Sequence, residues 1–203
     1  CASNANNVLT DFINTGVYDR RRPLHKTVSP SMDILVSSNL ERLLYLVSGD
    51  TQLVAGLMND LNTKGHYTVP EKLLKDIQSQ FYAGCCDDAG AKAAIGRAWK
   101  LGYLCDTHTA TAWAVAEDYV SKTGDKAPMV VLSTASPYKF PAAVLSSLEE
   151  SNLADEFMQM ERLQALTSVA IPKNLTGMQE KKRLHNTVIP KDEMLQFVLN
   201  IER

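Results

Sequence analysis

The chain has 203 residues, 45% hydrophobic and 22% charged, the proportions of an ordinary soluble globular protein large enough for one good-sized domain or two thirds of a larger one. Its formal net charge of −2 gives no electrostatic reason to expect nucleic acid or an anionic membrane as partner. No apolar run approaches the roughly 20 residues that cross a bilayer.

From the first residue, Cys1-Ala2-Ser3-Asn4 reads as the tail of a strand whose first half lies outside this chain. After the polar turn Ser3-Asn4-Ala5-Asn6-Asn7, the residues Leu9, Phe12 and Ile13 share a helical face that Gly16 stops. Arg20-Arg21-Arg22 follows Asp19 and reads as a solvated loop rather than a phosphate patch. A loop through Pro23 and Pro30 leads to the short apolar run Ile34-Leu35-Val36. Ser38 and Glu41 have capping-box spacing ahead of Leu40, Leu43, Leu44 and Val47, which predicts a helix start. Residues 1–50 are thus the first part of an α/β domain.

Residues 51–101 form a helical insertion. Its three short helices are marked by Leu53, Leu57, Met58 and Leu61, by Leu73, Leu74, Ile77 and Phe81 behind Pro70, and by Ala91, Ala94, Ile95, Ala98 and Trp99. Residues 102–203 are the remainder of the α/β domain and a helical tail. Within them Gly102-Tyr103-Leu104-Cys105 ends in Asp106, Thr107, His108 and Thr109, with a helix face beyond. Met129-Val130-Val131-Leu132 reads as a strand buried on both faces of a parallel sheet, and Ser133, Thr134 and Ser136 follow where such a strand ends. A helix from Phe157 to Leu166, a strand candidate at Thr187-Val188-Ile189 and a closing helix with a buried stripe of Met194, Phe197, Val198 and Ile201 complete the chain. The fold class is α/β, a mostly parallel sheet flanked by helices. Three polar turns should meet at one sheet edge, the place where ligands bind in such sheets.

The usual chemistries find little support. His25, His66, His108 and His185 are scattered, and Cys1, Cys85, Cys86 and Cys105 lack metal-ligand spacing, so no metal site is expected and the thiols are read as reduced, in a cytoplasmic protein. Gly84-Cys85-Cys86-Asp87-Asp88-Ala89-Gly90 carries two carboxylates that repel phosphate and reads as a helix-capping turn. His108 is the one histidine weighed as functional, against a hydrogen-bonded structural role.

Three motifs carry a resemblance. Ser3-Asn4-Ala5-Asn6-Asn7, the run Ser29-Pro30-Ser31-Met32-Asp33-Ile34 with Ser37-Ser38-Asn39-Leu40-Glu41-Arg42-Leu43-Leu44, and Leu132-Ser133-Thr134-Ala135 with Lys139-Phe140-Pro141 resemble the carboxyl-terminal half of threonine synthase. Asp106-Thr107-His108-Thr109-Ala110 is similar to that family's Asp-Pro-His-Thr-Ala turn, with Thr107 in place of Pro, and Ser136-Pro137 stands where His-Pro is usual. The likeness extends through Ile171-Pro172-Lys173 and His185 to Ile189. It implies a partial tryptophan-synthase-β-like domain (pyridoxal-phosphate fold type II) of an enzyme converting O-phosphohomoserine and water to threonine and phosphate. It also implies that the hydroxyl of Thr134, with Ser133 beside it, faces the pyridine nitrogen of pyridoxal phosphate. Asn4, Asn6, His108 and Thr109 are candidate substrate-binding residues because their turns should share the crevice, with helix capping or turn formation as the other reading. Lys139 could meet a phosphate or lie exposed.

No catalytic side chain is assigned. The family's Schiff-base lysine, in a Phe-Lys-Asp context, and its Gly-Asn-Phe-Gly-Asp phosphate loop have no counterpart here, since Lys75-Asp76 and Lys191-Asp192 are the only Lys-Asp pairs and neither follows an aromatic residue. The chain is therefore expected to be inactive without a missing amino-terminal half, its partner in the complete enzyme. A non-catalytic α/β binding module and a threonine-synthase-like enzyme acting on another phosphorylated substrate are the alternatives.

Overall fold

Ala2–Ser3 form β1, and the polar turn behind it feeds α1, Val8–Thr15, in the computed structural model, which describes residues 1–149 and 153–201. Gly16 ends α1 at φ +76°, its N–H bonded to the Phe12 carbonyl, a left-handed cap that costs a residue without Cβ little. The chain then turns into β2, Val17–Asp19, which pairs antiparallel with β3, His66–Thr68. Tyr18 lies opposite Tyr67 in that register, their rings stacked at 5.3 Å, and Phe12 meets both edge-on at 6.0 Å. This buried aromatic trio is the centre of the first core.

Around it pack α2 (Ser38–Ser48), α3 (Thr51–Lys64) and α4 (Glu71–Gln78), through Leu40, Leu44, Val54, Leu57, Leu61, Leu73 and Ile77. The helices read from periodicity between residues 51 and 101 are present. The first two of them contribute to one core with residues from 1–50, and the third packs along the helix that begins at Thr107. The capping box does not form as expected. Ser37 is the N-cap, which puts Leu40 rather than Glu41 at the third helical position, and the Ser37 N–H donates to the Tyr18 hydroxyl at 3.0 Å.

β4, Gly84–Cys85, lies parallel to β1, Ala2 opposite Gly84 and Ser3 opposite Cys85. A Cβ at Gly84 would come within 2.9 Å of a Val115 methyl carbon, so glycine is what lets this pair rest on the long helix below. That helix is α6, Thr107–Thr123, packed along α5, Asp88–Lys100. Asp87 caps α5 through the Gly90 N–H at 2.8 Å, and Asp88 accepts the Val28 N–H at 3.1 Å. The acidic glycine turn is thus a cap and a loop anchor. Arg21 and Arg22 are paired with Asp19 and Asp11, as a structural loop requires. α7 (Pro141–Leu145) packs on α8 (Glu156–Thr167) through Val144, Leu145 and Leu163.

The chain is α/β and helix-rich with a small parallel sheet. Three strand expectations fail among the described residues. Met129 to Leu132 is not in a strand and pairs with no described strand, and Val130 and Leu132 are 81% and 74% exposed. A buried parallel strand needs ladder partners on its flanks, and these residues have none. Leu104 and Cys105 are buried without forming a strand, and Val188 is 92% exposed in open chain. The residues divide into a unit of Cys1–Ile171 and a unit of Pro172–Arg203. The second holds the closing helix α9, Met194–Leu199, whose Met194, Phe197 and Val198, like Ile201, are exposed instead of forming the expected buried stripe. None of the second unit's described residues is buried, so it has no core to receive them. No described helix is long and apolar enough to cross a membrane.

Candidate functional site

The first polar turn is closed by its own loop. Asn4 is 1% exposed, and its side-chain amide donates to Thr27 Oγ1 (2.8 Å), Ser29 Oγ (3.0 Å) and Asp33 Oδ1 (2.8 Å) while its oxygen accepts from the Asn6 backbone and side-chain N–H groups. Asn6 imitates a strand neighbour, since its side chain donates to the His25 carbonyl and accepts the His25 N–H, both at 2.8 Å. The Asp33 carboxylate collects Asn4, Asn6 and the Thr27 hydroxyl on one oxygen and the Thr27 N–H on the other. Two asparagines, a threonine and an aspartate thereby fasten residues 25–33 onto the end of β1. The side-chain polar atoms of Asn4 and Asn6 are spent inside the protein, so what they offer a ligand is the shape of this loop.

That loop carries Ser31 to the second turn. Asp106, fully buried, is the N-cap of α6 and accepts from the backbone N–H groups of His108 (2.8 Å) and Thr109 (3.3 Å), from His108 Nδ1 (3.0 Å) and, in a very short contact, from the Thr109 hydroxyl. His108 Nε2 lies 3.1 Å from the Ser31 backbone nitrogen. A backbone N–H can only donate, so Nε2 is the unprotonated nitrogen and the ring proton sits on Nδ1, facing Asp106. The His108 ring also rests on Phe140 at 4.8 Å. The Lys139 ammonium lies over the Phe140 ring, 5.8 Å from its centroid, rather than on any oxygen of the described residues.

The third turn divides its hydroxyls between two sides. Ser133 accepts from the Tyr103 hydroxyl at 2.9 Å and lies 3.4 Å from Thr109 Oγ1. It lines an apolar groove with Tyr103 and Trp113, whose rings stack at 6.3 Å. Thr134, the next residue, faces a different cavity. It lines a crevice of about 900 Å³ floored by Ala112 and Val115 of α6 and shared with Ala2, Ser31 and His108. Thr134 has no hydrogen bond among the described residues.

The three turns therefore do gather. Asn4 reaches Ser29, Ser31 reaches His108, and Thr109 reaches Ser133. Of the candidate residues, Thr134 has a free hydroxyl in the crevice, Ser133 stands behind it, His108 and Thr109 are engaged within the rim, and Asn4 and Asn6 lie buried behind the loop. Sequence reasoning passed over Asp33, Asp106, Tyr103 and Ser31. Asp106 had a visible signal, an Asp just ahead of a helical run. Ser31 and Tyr103 had none, because their partners lie far along the chain. Chemically, the rim around Thr134 presents neutral hydroxyls and a neutral imidazole beside Ala112 and Val115, and the same crevice also takes in Gln78, Gln80 and Asp125.

A family model described as "Threonine synthase, C-terminal" matches residues 109–194. Threonine synthase-like 1 of Macaca fascicularis is 45% identical over 152 residues, 73% of this chain and 20% of that protein. Among solved structures, a PLP-bound threonine synthase from Brucella melitensis is 40% identical with a TM-score of 0.68, covering 79% of this chain and 34% of its own. Yeast threonine synthase superposes with a TM-score of 0.76 at 26% identity, over 90% of this chain and 37% of its own. The chain thus spans about a fifth of the length of the curated relative and about a third of each solved one.

Proposed function

Taking as premise a chain that belongs to the threonine synthase family and corresponds to its carboxyl-terminal portion, we propose that it forms the ring-nitrogen wall of a pyridoxal-phosphate pocket in an enzyme that converts O-phosphohomoserine and water to threonine and phosphate. The observation that carries this reading is the unengaged Thr134 hydroxyl, held in a crevice with Ser31 and His108. The residues present fit one edge of the cofactor. A hydroxyl meets a pyridine nitrogen as a neutral donor, and the Asp106 carboxylate behind the rim is fully buried with its oxygens occupied.

When bound, the cofactor supplies the electron sink of the reaction. Thr134 would donate a hydrogen bond to the ring nitrogen while keeping its proton on oxygen, so the nitrogen stays uncharged and electron withdrawal is moderated. Ser31 and His108 would border the group on the crevice wall, and the apolar side chains of Ala112 and Val115, which also line the crevice, would help keep water from it. No lysine lines the crevice among the described residues. The anchoring lysine and phosphate cradle are therefore assigned to the further length that the relatives carry, and the 203-residue chain alone is inactive. The exposed run at Val130 and Leu132, flanking the crevice, is where that length completes the sheet. Four free cysteines accord with a cytoplasmic setting.

The test uses the full-length protein. Thr134→Val is expected to weaken pyridoxal-phosphate binding and slow phosphate release from O-phosphohomoserine at least tenfold, the order of one lost hydrogen bond to a buried ring. Unchanged binding and turnover would remove Thr134 from the site. Mixed with the cofactor, the 203-residue chain is expected to leave the cofactor's absorbance spectrum as it is free in solution; a new band abolished by replacing one lysine would show that the chain anchors it unaided.

The 45% identity to a threonine synthase-like 1 protein favours a second reading, in which the same pocket serves a related phosphorylated substrate. Phosphate release from another phosphorylated amino acid, with none from O-phosphohomoserine, would select it.

A further inference from the structure

We propose that Asp106 is a positioning residue that sets the two sides of the crevice against each other through two hydrogen-bonded arms. The proposal rests on the reading of that crevice as the cofactor site. One arm runs from Asp106 Oδ1 to His108 Nδ1 at 3.0 Å and from His108 Nε2 to the Ser31 backbone nitrogen at 3.1 Å. The other runs from the second carboxylate oxygen to the Thr109 hydroxyl, then to Ser133 at 3.4 Å and to Tyr103 at 2.9 Å. Thr109 has one hydroxyl proton, and the short contact to the carboxylate takes it. The 3.4 Å contact to Ser133 shares that same Thr109 proton, and Ser133 accepts from both Thr109 and Tyr103, so Thr109 is the link between the carboxylate and Ser133.

Each arm ends on one wall. The first fixes the loop that presents Ser31 to the crevice. The second holds Ser133 toward Tyr103 on the groove side, and its neighbour Thr134 lines the crevice on the other side, so fixing Ser133 also fixes where Thr134 is presented. An N-cap alone needs only the two backbone bonds to the carboxylate. The ring nitrogen and the threonine hydroxyl that also converge on Asp106, which is fully buried, exceed what capping requires.

Asp106→Ser separates the two roles, because serine caps a helix as well as aspartate does but is too short to reach His108 Nδ1 or the Thr109 hydroxyl. In the 203-residue chain without cofactor, the wild type is expected to show a neutral His108 protonated at Nδ1 in nitrogen-15 spectra and a protected Ser31 amide. Asp106→Ser is expected to abolish the Nδ1 signature, speed exchange of the Ser31 amide about tenfold and lower nitrogen-15 relaxation order at Ser133 and Thr134, with helix content unchanged. Thr109→Val cuts the second arm alone and is expected to loosen Ser133 and Thr134 while leaving Ser31 and His108 as they are. It also serves if the first variant does not fold. Unaltered His108 and Ser31 signals in Asp106→Ser, or no response of Ser133 and Thr134 in Thr109→Val, would overturn the proposal. These signals need no cofactor, so a failed pyridoxal-phosphate reading with responsive amides leaves the coupling standing, and the reverse result leaves the reading standing.

Discussion

The turn at Asn4 and Asn6 and the turn at Ser133 and Thr134 look alike in composition, a few small polar side chains after a short apolar run, yet they end in opposite states. Around Asn4 the acceptors and donors are internal. Thr27, Ser29 and Asp33 take the amide, Asn6 takes the oxygen, and both asparagines are at most 3% exposed. At Ser133 and Thr134 one hydroxyl is held from behind by Tyr103 and the other opens on a crevice. A burst of small polar residues is thus scaffold or site according to whether a second loop returns to satisfy it. Here residues 25–33 return to the first turn, and no described segment covers the last.

The largest way to break this contrast is at Asp33. Alanine there removes an acceptor shared by Asn4, Asn6 and Thr27 and leaves buried amide protons short of partners. A loss of about 2–4 kcal/mol in unfolding free energy is expected, read from the denaturant midpoint of the 203-residue chain. A loss below about 0.5 kcal/mol, the scale of an ordinary surface change, would mean that the loop is held by something other than this network.

The next effect is set by burial behind the rim. Cys105 is 1% exposed, and burial, with the charge of neighbouring Asp106 as the lesser cause, pushes its thiol up to about 11 from 9.0. The folded state therefore keeps a proton that the unfolded chain has released between those values. The sign follows: this contribution is present below about pH 9 and is lost as pH rises toward about 11, to the extent of roughly 2 kcal/mol. Comparing Cys105→Ala with the wild type at pH 8 and pH 10.5 isolates it, and the wild type is expected to lose more. In the folded chain at pH 8, iodoacetamide should modify exposed Cys85 at least tenfold faster than Cys105. Equal rates would show that the start of α6 opens readily.

Much of the scaffold was legible because it is local. Periodicity located α3, α4 and α5, the Asp87 cap was read from its glycine turn, and the three polar turns were placed at one rim that the hydrogen bonds from Asn4 to Ser133 connect. What escaped depends on partners distant in sequence. The apolar run from Met129 to Leu132 has the composition of a buried strand, but burial belongs to its neighbours, and none of the described strands lies beside it. The pairing of Tyr18 with Tyr67 and the fastening of Asn4 by Asp33 need a loop closed over many residues, which no local window contains. The capping box slipped by one residue: Ser37, whose N–H donates to Tyr18 of another element, is the N-cap instead of Ser38.

The smallest expected effect on folding, and the sharpest test of the contrast, is Thr134→Val. The Thr134 hydroxyl has no partner among the described residues and its side chain is exposed, so an apolar side chain of similar shape removes no bond that the fold uses. Unfolding free energy should stay within about 0.5 kcal/mol of the wild type, against the larger loss at Asp33. If the change at Thr134 instead destabilises the chain by more than about 1 kcal/mol, its hydroxyl is satisfied from within and the two turns are the same kind of object. If stability holds while cofactor binding by the full-length protein falls, the open turn is the one that selection for a ligand has kept unsatisfied, at a cost to folding too small to measure.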